Sequence, residues 1–264
     1  MSKKIPESEE EFERQFETYL PGHSIDCVIF GYKDQELKIL LLQWKYQKTW
    51  SLPGGFIRKD EDMDSAAIRV LLERTGLQSV FLSQFHTFGS LQRSQINAEE
   101  NAKRLKFFKE SKIYNSKVIN WLKNRFITTG YFALVDLDKT KPEPDFLSEK
   151  CEWKSLKDMP RLIMDHGDIV LKAHEHLRIQ LNYIPIGMSL LPQKFTILDL
   201  QKLYEAILQK KLERSNFQRK VLKLGILNRH EKLMTGAAHK APYLYSFNKK
   251  VYETLIKEGI GFSF

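Results

Sequence analysis

The chain has 264 residues, 42% of them hydrophobic and 28% charged, enough to bury one medium core and one small one and too apolar for a disordered chain. Of the formal net charge of +9, +8 falls between Gln193 and Phe264, where 14 Lys and Arg accompany 6 Asp and Glu; a basic module beside a near-neutral one points to nucleic acid. Two cysteines without metal-ligand spacing, Cys27 and Cys151, exclude a disulfide framework, and no apolar run reaches membrane-spanning length, so a cytoplasmic chain with no membrane partner is expected.

From the N-terminus, Ser8 is placed to cap an amphipathic helix carrying Phe12, Phe16, Tyr19 and Leu20 and ending at Pro21-Gly22. Strands are expected over 25–32, where Cys27 sits in the core-like run CVIF, and over 37–44, with a polar turn at 33–36. A short strand at 50–52 enters Pro53-Gly54-Gly55. A helix follows over 64–75, with Gly76 as a left-handed cap. Strands at 80–91 and 126–137 flank a charged stretch, 92–125, read as an insertion of two short helices, the second capped by Ser116. A helix at 167–183 carries Ile169, Val170, Ala173 and Leu177. The step Asp165-His166-Gly167 reads as its start, and His174 and His176 read as surface histidines because residues two apart on a helix face different ways. The segment 184–194, with Pro185, Gly187 and Pro192, is a linker apolar enough to pack on a domain.

The last quarter has its own plan. Thr196 and Asp199 are set as a capping box with Phe195 and Leu200 as a staple, for a helix burying Leu200, Leu203, Tyr204 and Ile207. After a turn at 211–214, Ser215 caps a second helix with Phe217, Val221 and Leu224 on one face. Asn216, Gln218, Arg219, Lys220 and Lys223 point elsewhere, and Gly225 ends the helix. A strand begins at Ile226-Leu227 and its partner returns at 243–247, joined through a basic loop at 236–242. Helix, turn, helix, strand, loop, strand is the order of a winged helix-turn-helix, whose second helix enters the major groove. Ser215, Asn216, Gln218, Arg219, Lys220 and Lys223 are the expected DNA contacts, with His239 and Lys240 reaching the backbone from the loop. A helical packing module with a solvated basic face is the alternative.

The segment 55–77, GFIRKDEDMDSAAIRVLLERTGL, holds the chemistry. Gly55, Glu61, Arg69, Leu71, Glu73, Gly76 and Leu77 keep the spacing of a Nudix box, G, five residues, E, seven residues, R-E-U-x-E-E-x-G-U with U aliphatic. Val70 and Arg74 stand where two of its glutamates belong. Pyrophosphate hydrolysis in that family needs a divalent metal held by clustered carboxylates. Here Val70, Glu73 and Arg74 together carry no net charge, so no metal, cofactor or catalytic residue is expected, and Glu61 with Arg69 reads as a structural ion pair.

The whole order resembles the Nudix-related bacterial transcriptional regulators, which include regulators responsive to ADP-ribose and to arabinose. The matching stretches are IDCVIFG (25–31), WSLPGGF (50–56), 60–77, 195–207, NFQRKV (216–221) and APYLYSF (241–247). The resemblance implies an α+β chain. A Nudix-like α/β/α sandwich with a mixed sheet would occupy 1–183, a linker 184–194 and a small winged helix-turn-helix domain 195–264. It further implies a homodimer on a double-stranded DNA operator, released by a small effector. Loss of the metal carboxylates suits a neutral sugar better than a nucleotide, because Glu73 is then free to bond hydroxyls. The expectation is therefore a repressor of carbohydrate-utilisation genes, with an ADP-ribose-like nucleotide as the other effector, bound by Gly54, Gly55, Glu73, Asp165 and His166. A hydrolase acting on ADP-ribose or a related nucleoside diphosphate is the alternative.

Overall fold

The computed structural model describes residues 19–45, 48–78, 80–93, 99, 102–103, 106, 116–122, 124–181, 186–234 and 241–258. Strands β1 (Tyr19–Lys33) and β2 (Glu36–Trp44) form a hairpin. Its two turn residues, Asp34 and Gln35, both have positive φ, 54° and 61°, the hand that matches the twist of paired strands. In β1 the run Cys27–Phe30 is completely buried; Ile39–Leu41 in β2 and Phe132–Ala133 in β6 (Ile127–Val135) are as well. Strands buried continuously rather than alternately have both faces covered, which explains why these segments read as unbroken apolar runs.

The sheet runs β3-β2-β1-β6-β5, with β4 also on β1 and β7 on β2. Here β3 is Trp50–Ser51, β4 Gly54–Arg58, β5 Phe81–Phe88 and β7 Ser148–Ser155. Two differences from the sequence reading stand out. Tyr19 and Leu20, assigned to the N-terminal helix, open β1 instead; the remainder of that helix lies outside the described residues. Strand β4, unforeseen, pairs antiparallel with β1 through Ile25↔Gly55 and Asp26↔Gly54. Gly54 is required there, since a Cβ would stand 2.6 Å from Asp26 Oδ1 and 2.8 Å from the Ile25 carbonyl.

Helix α1 (Met63–Thr75) starts where the Asp62 carboxylate accepts the Ser65 N–H at 2.7 Å and stops at Gly76, φ 70°. Helix α2 (Ser116–Leu122) is the second of the two insertion helices, anchored by buried Val118 and Ile119; most of the first lies outside the described residues. Helix α3 (His166–Gln180) begins one residue past Asp165 and buries Ile169, Val170, Ala173 and Leu177.

Packing divides the chain into two compact units, one of Met1–Phe30, Ile39–Ala133 and Lys139–Ala173, the other of Gly31–Lys38, Leu134–Asp138 and His174–Phe264. The second unit contains α4 (Gly187–Leu190), β8 (Phe195–Thr196), α5 (Ile197–Leu208), α6 (Arg214–Lys223), β9 (Leu227–Lys232), β10 (Tyr243–Phe247) and α7 (Lys249–Glu258). Thr196 and Asp199 form the complete capping box of α5. Strand β10 lies between β8 and β9, antiparallel to both. Helix α7 was not foreseen, and the segment read as a linker includes α4. His174, expected on the surface, is buried: its Nε2 lies 2.7 Å from the Ile207 carbonyl within this unit. Burial pushes its pKa down, against the pull of that hydrogen bond.

Candidate effector site and nucleic-acid interface

The carboxylates that remain in the Nudix box are occupied by arginines. Glu61 accepts Arg69 at 2.6 Å and the Arg58 N–H at 2.9 Å, while Arg69 also donates to the Phe56 carbonyl at 3.0 Å. Burial opposes the charge on Glu61, but these hydrogen bonds outweigh it and hold the carboxyl below its usual range. Glu73 lies between Arg69 (3.6 Å) and Arg74 (3.3 Å), and Arg74 donates to the Glu143 carbonyl at 3.1 Å. Val70 is 1% exposed, and a Cβ on Gly55 would meet its Cγ2 at 3.0 Å. A divalent cation needs several free oxygen ligands; one apolar side chain and three guanidinium contacts do not fit it. Among the described residues, no group of three or more His, Cys, Asp and Glu gathers as a metal site.

A second cluster is buried close to Gly54. Arg93 donates through Nε to Asp165 (2.7 Å) and through Nη2 to Asp26 (2.9 Å), and all three side chains are at most 9% exposed. His166 Nδ1 accepts the Leu52 N–H at 3.0 Å, so the neutral imidazole carries its proton on Nε2, 3.8 Å from Asp26 Oδ1. Burial pushes the Asp165 carboxyl up, partly offset by Arg93, and its Oδ1 has no hydrogen-bond partner among the described residues. The residues expected to line one pocket are thus divided. Gly54, Asp165 and His166 meet around Asp26 and Arg93, whereas Gly55 faces Val70 and Glu73 is held by arginines. Sequence reasoning missed Asp26 and Arg93. The signal for Asp26 was a lone acid inside an apolar run, which demands a partner; Arg93, in the insertion, gave none.

A surface groove lined by Asp64, Ile68, Leu72, Leu82, Gln84 and Tyr131 lies elsewhere. At 100° per residue, Ile68 and Leu72 point away from Val70 and Arg74, although Leu71 and Leu77 of the Nudix box also line the groove.

In the second unit, α6 presents the expected split. Phe217 (3% exposed) and Val221 (1%) are buried, with the Phe217 ring 5.4 Å from Tyr204 of α5. Ser215, Asn216, Gln218, Arg219 and Lys223 are exposed, and Lys220 is half-buried. The cap is Glu213 rather than Ser215: its carboxylate accepts the N–H groups of Ser215 and Asn216. The helix runs from Arg214, so Ser215 lies inside it, and the negative charge of Glu213 is favoured at its positive end. Two bonds to Leu212 fix the turn before α6, from its N–H to Glu205 (2.9 Å) and from Gln201 to its carbonyl (2.9 Å). Strand β9 adds two cations that the sequence reading passed over, Arg229 and Lys232, 4.7 and 5.5 Å from the Tyr243 ring centre. His239 and Lys240 lie outside the described residues.

Comparison with known proteins agrees with this architecture. Residues 21–173 match the NUDIX domain and residues 187–247 the NrtR DNA-binding winged helix domain. The ADPR responsive transcriptional repressor NtrR of Acinetobacter baylyi is 29% identical over 240 residues, 88% of this chain and 84% of its own length. The crystal structure of Shewanella oneidensis NrtR superposes with a TM-score of 0.65 at 25% identity, covering 88% of this chain and 96% of that one. The same protein complexed with a 27mer DNA shares the fold at a TM-score of 0.61 and 23% identity, covering 87% and 95%. The chain belongs to the Nudix family, in the group of Nudix-related transcriptional regulators that carry an NrtR-type winged helix domain.

Proposed function

We propose that this protein is a transcriptional repressor that binds operator DNA as a homodimer through α6 and is released by an ADP-ribose-class nucleotide, bound but not hydrolysed by its Nudix domain. The observation that carries this reading is the fate of the Nudix box. Its fold is intact, yet Glu61 and Glu73 are tied to Arg69 and Arg74, and Val70 is buried. A domain shaped for a nucleoside diphosphate, and poorly equipped to hold the metal that cuts it, suits sensing. The Acinetobacter relative responds to ADP-ribose, which makes that nucleotide the first effector to test. It also weakens the expectation of a sugar effector and carbohydrate genes, since Glu73 is engaged by arginines rather than open to hydroxyls.

On the DNA side, Asn216, Gln218 and Arg219 are the proposed base readers. Ser215, Lys220 and Lys223 hold phosphates, and His239 and Lys240 reach the backbone from the wing. The domain limits 1–183, 184–194 and 195–264 are part of the same proposal. The test is a mobility-shift titration of the full chain with promoter fragments flanking its gene, followed by ADP-ribose, pentoses and hexoses. A dimer on a near-palindromic fragment, released by ADP-ribose without AMP formation, is the expected result. Release by a pentose or hexose alone would return the protein to carbohydrate sensing. Steady Mg²⁺-dependent AMP production would make it an enzyme.

A further inference from the structure

We propose that the insertion completes the effector site. Trp121 of α2, with Phe56 of β4 and Tyr19 of β1, forms a stacking face for the planar base of a nucleoside diphosphate, whose phosphates lie toward Arg58. This rests on the reading of the Nudix domain as a nucleotide sensor and names the part of the site that recognises the base. The Phe56 ring lies 4.5 Å from Trp121, edge to face, and 5.6 Å from Tyr19. Phe126 backs the group at 4.7 Å from Trp121 and 5.2 Å from Phe56.

Three observations set this cluster apart from ordinary core packing. First, all four rings are half-buried, whereas Phe30, Tyr131 and Phe132 in the sheet are sealed. Second, the cluster is continuous with the Nudix box: Phe56 follows Gly55, and its carbonyl accepts Arg69. Third, cations border it. The Tyr19 hydroxyl is hydrogen-bonded by Arg58 and feels Arg69, although burial dominates and raises its pKa. Nucleobases stack on aromatic faces whatever their sequence, and guanidinium groups pair with phosphate oxygens through parallel N–H donors. Aromatic surface and guanidinium side by side match a base joined to a diphosphate more fully than a pentose, which has neither. Buried Val118 and Ile119 root α2, so Trp121 is presented from a fixed element.

The test is calorimetric titration of the full chain with ADP-ribose, AMP and ribose 5-phosphate. Trp121→Leu keeps an apolar contact and removes the ring, Trp121→Phe restores a ring, and thermal unfolding confirms that each variant is folded. Trp121→Leu is expected to weaken ADP-ribose and AMP by about tenfold or more, to leave ribose 5-phosphate unchanged, and to be largely rescued by Trp121→Phe. Equal affinity of wild type and Trp121→Leu for both adenine ligands would overturn the inference while leaving ADP-ribose sensing intact. AMP binding that depends on Trp121, combined with failure of ADP-ribose to release the operator, would support the base site and sink the effector reading. Equal weakening of all three ligands would also overturn it, because the tryptophan would then act on the fold rather than on the base.

Discussion

Glu205 shows how much one side chain can decide. It is 8% exposed on α5, and its carboxylate accepts the Leu212 N–H at 2.9 Å, Gln201 at 3.1 Å and Lys202 at 3.0 Å. Burial alone would raise its pKa; these donors outweigh burial and hold it down at about 2. The folded carboxyl therefore titrates below the unfolded one. Its contribution is complete above the unfolded value and is lost as the pH falls toward about 2. Hydrogen bonds to a buried charge contribute about 1.5–3 kcal/mol. Glu205→Gln is expected to lower the thermal midpoint at pH 6, with the gap to wild type narrowing as the pH drops to 3. A gap independent of pH would show that the charge itself contributes nothing. Glu205 also illustrates what a sequence hides. An acid on a helix reads as solvated until the turn it holds is known, just as Arg93 reads as insertion charge until Asp26 and Asp165 are seen around it. The ion pair of Glu61 with Arg69 was legible because both residues belong to one local motif with fixed spacing.

Among the elements, those with a single local cause were readable in advance. Helix α5 follows from its capping box, α1 from the left-handed Gly76, and β1 and β2 from apolar runs too short for helices. Strand β4 begins with two glycines, and β7, SEKCEWKS, is charged and half-buried along almost its whole length, with no alternation. Neither shows a β pattern, because each is specified by the partner strand it joins rather than by its own residues. Helix α7 escaped because its Lys-rich start resembles the basic segments before it. Helix α6 was legible in its faces but not in its cap. If α6 lies in the major groove, the double variant Arg219→Ala/Lys220→Ala should cut operator affinity by at least tenfold and flatten its salt dependence, since each lost phosphate contact removes about one released counterion. Unchanged operator affinity in a folded double variant would place the DNA surface elsewhere, with Arg229 and Lys232 of β9 the next residues to change.

At the scale of the molecule, the chain joins a domain for a small ligand to one for DNA, and a ligand regulates only by binding the DNA-free and DNA-bound states with unequal affinity. The neutral turn of α1 bears on what such a sensor measures. An enzyme of this family recognises its diphosphate through a bound divalent ion, so occupancy depends on two concentrations, nucleotide and cation. With Glu61 and Glu73 already paired to Arg69 and Arg74 rather than open to a cation, occupancy should follow the nucleotide alone. Titrations in EDTA and in millimolar Mg²⁺ are expected to give the same midpoint for effector release; a shift beyond about tenfold, the mark of a coupled second ligand, would show that the cation still takes part. A regulator built this way keeps its set point when the cell's free magnesium rises or falls, a form of calibration that the active enzymes of the fold lack.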